Sequence, residues 1–291
     1  SEAEPGAVPS RPRILLLALG GTIAMTSDVG GAVTPRLTRE DLIAAVPGLA
    51  DAAEVDAETF RTIPGAHLSF EDLGELAKRI ETACAEGHDG VVVTQGTDTL
   101  EETSFLVDLL AGPDRRVVFT GAMRNPTQPG ADGPANVLAA ALVAGAPAAA
   151  GLGTTVVLGD EVHAARYVRK SHTRSPAAFR SSNGPLGWVG EGTVRIAVRP
   201  PTVPELELSA FGEAKAALLT ASLDDDGSLV DAAAEACQGI VVEALGAGHL
   251  PLSWAERLER AAERLPVAFA SRTGSGEVLT ATYGFPGSET D

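Results

Sequence analysis

The hydrophobic pattern alternates between short, continuous apolar runs and longer amphipathic ones. Residues 13–19 (RILLLAL) are an unbroken apolar run, as a parallel strand buried on both faces requires. A loop rich in Gly and Thr follows as far as Pro35, and Thr38 opens a short helical stretch, TREDLIAAV, with acids in its first turn. Ser69 predicts a helix N-cap with Asp72 three residues on. Leu73, Leu76, Ala77, Ile80 and Cys84 then form an apolar stripe at helical spacing, and Gly87 ends the helix. The alternation continues as strand 90–94 (GVVVT), helix 100–110, strand 116–120 (RVVFT), Ala-rich helix 134–143 and strand 154–158 (TTVVL). Residues 199–205 (RPPTVPE) carry three prolines and read as a linker. Beyond them come strand 216–221, helix 229–236, strand 239–243, helix 253–264 and strand 267–271.

Strands alternating with helices predict an α/β fold with parallel pairing and right-handed crossovers. The expected architecture is a larger parallel-sheet domain over residues 1–198, a linker over 199–210 and a smaller α/β domain over 211–291. At 291 residues the chain buries a full core without disulfide or metal staples. Its net charge of −17 repels phosphate backbones and anionic lipid, so no nucleic-acid partner is expected. No apolar run approaches the ~20 residues of a membrane span, so no membrane partner is expected either. The N-terminal SEAEPGAVPSRPR has no apolar signal core, and because the chain begins at Ser export stays open. Cys84 and Cys237 lie far apart, with no C-x-x-C and no H-E-x-x-H in the chain, so no metal site is expected. The two cysteines read either as a pair or, more plainly, as small buried apolar residues on helices.

In parallel sheets, ligands bind beyond the carboxyl ends of the strands, and three segments there are dense in polar residues. Leu19-Gly20-Gly21-Thr22-Ile23-Ala24 offers paired glycines, which let a backbone approach a ligand, and then a hydroxyl; taken alone, Gly-Gly-Thr is more often a plain turn. Thr94-Gln95-Gly96-Thr97-Asp98-Thr99, followed by Glu101 and Glu102, clusters hydroxyls and carboxylates before a helix. Asp98 or Thr99 acting as a helix cap accounts for part of it, but the motif holds more polar groups than a cap needs. The loop Arg166-Tyr167-Val168-Arg169-Lys170-Ser171 contains one of three lysines, with Lys78 and Lys215, among 22 basic residues. Lysine, unlike arginine, sheds its proton near neutral pH when desolvated and so can relay protons; a chance surface lysine is the other reading.

Together these segments resemble the bacterial asparaginase/glutaminase family of amidohydrolases over almost the whole chain. LGGTIA looks like the family's first signature and VVVTQGTDTLEET like its second. FTGAMRNPTQPGADGPAN, the Arg166-to-Lys170 spacing and the Asn183-Gly184-Pro185-Leu186-Gly187 turn match as well. The resemblance implies hydrolysis of the side-chain amide of L-asparagine without metal or organic cofactor. It makes Thr22 the nucleophile, Thr97 and Lys170 the proton relay, and Asp98 the group that orients Lys170 and holds the substrate ammonium. Gly21, Gly65, Ala66, Gly96, Thr97 and Asp98 would bind substrate. It further implies a homodimer or homotetramer, with loop 243–249 reaching into a neighbour's site; His249 there reads equally as a plain surface or loop residue.

Departures from the family pattern are equally plain. Residues 25–37 hold none of the Tyr that members place there, leaving Thr26 and Ser27 as candidates to assist Thr22. Pro64-Gly65-Ala66-His67 replaces a Ser-Gln or Ser-Glu pair on the substrate carboxylate, and Gln95 stands where a His is common. Cys84 matches a disulfide position of periplasmic members whose partner position, near Gly112, has no Cys, which favours a cytoplasmic-type enzyme. The chain stops at Asp291, shortly after TATYGFPGSETD, where family chains continue, which implies a shortened C-terminus. Two other readings compete: an amino-acid sensor on the same scaffold, and the ammonia-producing subunit of a tRNA-dependent amidotransferase. A sensor would not need Thr22, Thr97 and Lys170 together, and the charge of −17 opposes tRNA contact.

Overall fold

The structure, a computed structural model, describes residues 11–20, 38–201 and 214–288. The chain divides into two compact units, Ser1–Ser209 and Ala210–Asp291.

In the larger unit the chain runs through β1 (Arg13–Ala18), α1 (Arg39–Ala45), α2 (Leu49–Ala52), β2 (Glu54–Thr59), α3 (Phe70–Ala85), β3 (Gly90–Thr94), α4 (Leu100–Ala111), β4 (Val117–Thr120), α5 (Gly133–Gly145) and β5 (Thr155–Leu158). It continues through β6 (Glu161–Ala164), β7 (Val168–Lys170), β8 (Phe179–Ser181), β9 (Gly187–Gly190) and β10 (Thr193–Ile196). Among the described residues, eight strands make one sheet in the order β10-β9-β6-β5-β4-β3-β1-β2. The pairs from β2 to β5 are parallel, and β5–β6, β6–β9 and β9–β10 are antiparallel. The fold is therefore α/β with a parallel-dominated sheet, extended by an antiparallel edge. β7 and β8 form a separate two-stranded ribbon.

β1 is apolar throughout because it is covered on both faces. Ile14, Leu16 and Ala18 join one core with Val92, Val118 and the α5 residues Val137, Ala140 and Ala144. Leu15, Leu17 and Leu19 join the other, with Val91, Val93, Phe119 and the helix residues Leu73, Leu76, Ile80, Leu100 and Val107. Thus α3 and α4 cover one face, and α5 covers the other with Leu42 of α1 and Leu49 of α2. This corrects one expectation. The β3–α4–β4 and β4–α5–β5 connections step the same way across the sheet, yet their helices lie on opposite faces. They therefore have opposite hands; about 98% of such crossovers are right-handed, and β4–α5–β5 is the one out of step with its neighbours. Its long lead-in, residues 121–132, carries the chain past the sheet end before α5 begins. Asn136, buried on α5, fixes that arrangement: its Nδ2 donates to Gly121 O at 2.9 Å, and its Oδ1 accepts from Gly159 N at 3.0 Å.

The smaller unit contains β11 (Ala216–Thr220), α6 (Ser228–Ala236), β12 (Gly239–Ala244), α7 (Leu252–Ala262) and β13 (Val267–Ser271). The three strands are parallel in chain order. Ile240, Val242 and Ala244 of β12 pack on Val230, Ala233, Trp254 and Leu258 of the two helices. Cys84 on α3 and Cys237 at the end of α6 are free thiols, both half-buried rather than buried.

The expected cap at Ser69 forms a full capping box. Asp72 N donates to Ser69 Oγ at 3.2 Å, and the Asp72 carboxylate accepts from Ser69 N at 2.9 Å. Arg61 Nε donates to the other Asp72 oxygen at 2.8 Å. One carboxylate therefore pins both ends of the segment 61–69. The Arg61 bond, then the Ser69 bonds, lower the Asp72 pKa from 3.8 to about 2. Because the folded value is depressed, this contribution to stability is fully present above about pH 4 and is lost as pH falls through about 2. Asp72→Asn is expected to be less stable than wild type at neutral pH, with the gap closing by about pH 2; urea unfolding across that window checks it.

Candidate active site

The strand order 2-1-3-4-5 reverses direction at β1: the chain leaves β1 toward β2 on one side and returns with β3 on the other. Such a switch point opens a crevice beyond the carboxyl ends of the two strands. Leu19 N donates to Thr94 O at 2.9 Å, so the two loops start side by side. Phe60 N and Arg61 N both donate to Ala18 O, at 2.9 and 3.1 Å, and this brings the segment after β2 to the same end. Gly20 is left-handed (φ 87°), and a Cβ there would lie 2.8 Å from Ile63 O, so only glycine fits this crossing. Gly21, Thr22, Thr26 and Ser27 lie outside the described residues.

The second motif supplies the floor and one wall. Gln95 is buried; its Nε2 donates to Thr99 Oγ1 at 3.0 Å, and its Oε1 accepts from Thr103 Oγ1 at 2.8 Å. Thr99 occupies the N-cap position of α4 without capping it through its side chain, and Asp98 is turned elsewhere. Neither residue serves as the side-chain cap. Lys170 Nζ donates to Thr97 Oγ1 at 2.9 Å and to Asp98 Oδ1 at 2.6 Å. The lysine side chain is only 14% exposed, whereas that of Asp98 is 83% exposed and free to meet a ligand. The structure thus joins Thr97, Asp98 and Lys170, predicted from segments about seventy residues apart. A hydroxyl, an amine and a carboxylate in line are the parts of a proton relay: the hydroxyl carries the proton, the amine exchanges it and the carboxylate orients the amine.

Lys170 ends β7 and does not lie in a loop, as its sequence context predicts. The strand is short and sits outside the main sheet, so its apolar content is too small to register. What holds it leaves no local signal either. The Arg166 guanidinium donates to Asp108 Oδ2, with Nε at 3.1 Å, and Asp108 Oδ1 accepts from Thr154 N at 2.7 Å. Asp108 is buried on α4, so this ion pair fastens the chain just before β7 to the helix that follows the second motif. Lys170 N donates to the Glu101 carboxylate on the same helix.

Gly65 and Ala66 lie in a 3-10 turn, Gly65–His67, facing this loop. A Cβ on Gly65 would sit 2.8 Å from Thr99 Oγ1 and 3.3 Å from Gly96 O. Gly65 and Gly96 are therefore brought together, with Ala66 exposed beside them. Loop 243–249 lies in the smaller unit, where Leu245 and His249 close a turn and the His249 ring meets Tyr283 and Phe285, each at 5.0 Å. Among the described residues, no group of three or more His, Cys, Asp or Glu side chains is placed to hold a metal ion. No described helix is long and apolar enough to cross a membrane.

Residues 13–202 match the asparaginase N-terminal domain, and residues 215–291 match the glutaminase/asparaginase C-terminal domain. The chain belongs to the bacterial asparaginase/glutaminase family. It is 37% identical to a probable L-asparaginase of Deinococcus radiodurans over 96% of this chain and 84% of that one. It is also 31% identical to a glutamyl-tRNA(Gln) amidotransferase subunit of Methanosarcina acetivorans, over 96% of this chain and 68% of that one. The crystal structure of a probable cytoplasmic L-asparaginase from Campylobacter jejuni superposes with a TM-score of 0.81 at 32% identity, over 90% of this chain and 83% of that one.

The family resemblance implies a serine where this chain has Gly65, and the packing here resists one. The φ of Gly65 is outside the left-handed region, so the obstacle is space rather than backbone strain. Gly65→Ser is expected to cost ~1–3 kcal/mol through overpacking against Thr99, and adding Thr99→Ala is expected to recover most of it. Urea denaturation of the single and double variants measures both; a single variant as stable as wild type shows a loop that yields freely.

Proposed function

We propose that the chain hydrolyses the side-chain amide of L-asparagine to L-aspartate and ammonia through a threonine acyl-enzyme. The observation that carries the reading is Lys170 Nζ, shared between Thr97 Oγ1 and Asp98 Oδ1. Family membership supports the amidohydrolase class, and the names of the relatives support asparagine as the amide.

A carboxamide is a poor electrophile and a threonine hydroxyl a weak nucleophile, so the hydroxyl proton has to leave as the bond to carbon forms. In the proposed reaction Thr22 Oγ1 attacks the amide carbon, and its proton passes by way of the site hydroxyls to the departing nitrogen. Ammonia leaves, and an ester to Thr22 remains. Water then attacks that ester, its proton passing through Thr97 and Lys170 to the departing Thr22 oxygen, so that aspartate and the free Thr22 hydroxyl are released. Asp98 keeps Lys170 aimed at Thr97 and, being exposed, binds the substrate ammonium. Backbone N–H groups at Gly96 and Thr97 are suited to hold the oxyanion. Gly21, Gly65 and Ala66 line the substrate's carboxylate end with backbone rather than side-chain donors. The reaction as written uses no cofactor.

Oligomerisation to a homodimer or homotetramer, with loop 243–249 completing a neighbour's site, belongs to the same reading. So do a cytoplasmic location, supported by the Campylobacter neighbour, and domain boundaries at 1–198 and 211–291. A second reading has a specific support in the Methanosarcina relative: an ammonia-producing component of an amidotransferase. The net charge of −17 disfavours its tRNA contact.

The deciding experiment is ammonia release from asparagine and from glutamine, measured side by side. Thr22→Ala, Thr97→Ala and Lys170→Met are each expected to lower kcat by ~10²–10⁴, and the double variant of Thr97 and Lys170 is expected to fall little further because the two act as one unit. Near-full activity in Thr22→Ala removes the acyl-enzyme, binding without turnover favours a sensor, and co-purifying tRNA favours the amidotransferase. Light scattering during turnover is expected to find a dimer or larger; a fully active monomer refutes the shared site.

A further inference from the structure

We infer that Glu101 is a positioning residue: by holding the backbone of Lys170, it fixes the distance over which that lysine meets Thr97. The inference rests on the reading of Lys170 and Thr97 as a proton relay, and it assigns a role to an acidic residue that the relay itself does not use.

The argument starts from the β7–β8 ribbon. In an antiparallel pair, successive backbone N–H groups point alternately toward and away from the partner strand. Ser171 N donates to Ala178 O at 2.7 Å, toward the β8 side. The neighbouring N–H of Lys170 therefore points outward from the ribbon, and there it donates to the Glu101 carboxylate. A first-turn acid on a helix ordinarily faces water, where the helix dipole alone favours it. Glu101 instead accepts from a strand 69 residues away, and a hydrogen bond from a backbone N–H to a carboxylate is of the stronger, charge-assisted kind.

The consequence lies in how Lys170 is held. Thr97 and Asp98 grip the ammonium end, and Glu101 grips the backbone end. All three grips come from the single stretch 97–101, the end of one loop and the first turn of α4. The lysine's flexible four-carbon stem lies between them. During a relay the Nζ bonds to Thr97 and Asp98 change as protons move, whereas the Lys170 N–H bond to Glu101 does not take part. It is therefore the constant anchor, returning Nζ to the same place after each transfer. A misplacement of about 1 Å in a reacting group can cost ~10²-fold in rate.

The test uses the full chain and three substitutions. Glu101→Ala removes the acceptor, Glu101→Gln keeps an acceptor oxygen without charge, and Glu101→Asp withdraws the carboxylate by one methylene. On asparagine, Glu101→Ala is expected to lower kcat by ~10–100-fold with KM within about threefold, the pattern for an interaction that matters only in the transition state. Glu101→Gln is expected to restore kcat to within about threefold of wild type, with Glu101→Asp in between. Hydrogen exchange of the Lys170 amide is the second readout: at least about tenfold faster in Glu101→Ala and near wild type in Glu101→Gln. If Glu101→Ala does not fold, the same ordering between Glu101→Asp and Glu101→Gln carries the test. Wild-type kcat in Glu101→Ala, an equal loss in the Gln variant, or unchanged amide exchange overturns the inference. Exchange is read without turnover, so a chain that releases no ammonia from either amide condemns the functional reading alone, while the exchange result still decides the role of Glu101.

Discussion

Sheet growth in two directions from β1 is the constraint on which the site depends. A strand with parallel neighbours on both sides and helices on both faces must be apolar at every position, and β1 is. The same reversal leaves the carboxyl ends of β1 and β3 without a helix passing directly between them. Two backbone contacts then set the width of the opening: Leu19 N to Thr94 O at 2.9 Å, and the close approach of Gly20 to Ile63. The polar motifs sit where they do because the apolar register of β1 against β3, with Ala18 opposite Thr94, puts them there.

The proposed relay takes its hydroxyl and its base from different elements. Here the base comes from the antiparallel extension of the sheet, which turns the chain back after β5 and delivers β7 to the crevice. Arg166 and Asp108 tie that extension to α4 through a partly buried ion pair; such a pair is weak evidence for stability but holds one geometry. That helix also begins at the second motif. Movement of α4 would therefore carry Thr97, Asp98, Glu101 and Asp108 together, and Lys170 would follow by its backbone and side chain. The site behaves as one body because its long-range bonds converge on one helix.

What is legible in the sequence follows from how each element is stabilised. Strands β1, β3, β4 and β5 are short apolar runs buried on both faces, and each is readable within a residue or two. The capping box at Ser69 is a local motif, evident from residues three apart. β2 escapes because it lies at the sheet edge and reads EVDAET, with Val55 its buried apolar residue. β6 to β10 escape because strands of three or four residues, several half exposed, leave no periodicity to detect. The hand of the β4–α5–β5 crossover runs against expectation because it depends on where a long loop crosses, not on any residue pattern. At the site, the residue types of Thr97, Asp98 and Lys170 are informative, but the strand carrying Lys170 looks like a loop. The tie between Glu101 and Lys170 joins positions 69 apart and leaves no mark in either neighbourhood.

The departures from the family pattern take on a common sense once the packing around Gln95 is known. Its amide is spent in both directions, donating to Thr99 and accepting from Thr103, so the floor of the crevice is neutral at every pH the protein meets. A histidine there would change charge between about pH 5 and 8. Beside this neutral floor, Asp98, Glu101 and Lys170 are charged groups among the described residues that bond to one another. The Gln95 bond also draws Thr99 Oγ1 into the space beside residue 65, to within 2.8 Å of where a Cβ would be. A serine at 65 and this placement of Thr99 exclude each other. Gln95, Thr99 and Gly65 are thus one linked choice: the amide positions the threonine, and the threonine requires the glycine. Read singly, Gln95 and Gly65 are two unrelated losses of a functional side chain; read by their contacts, the second follows from the first.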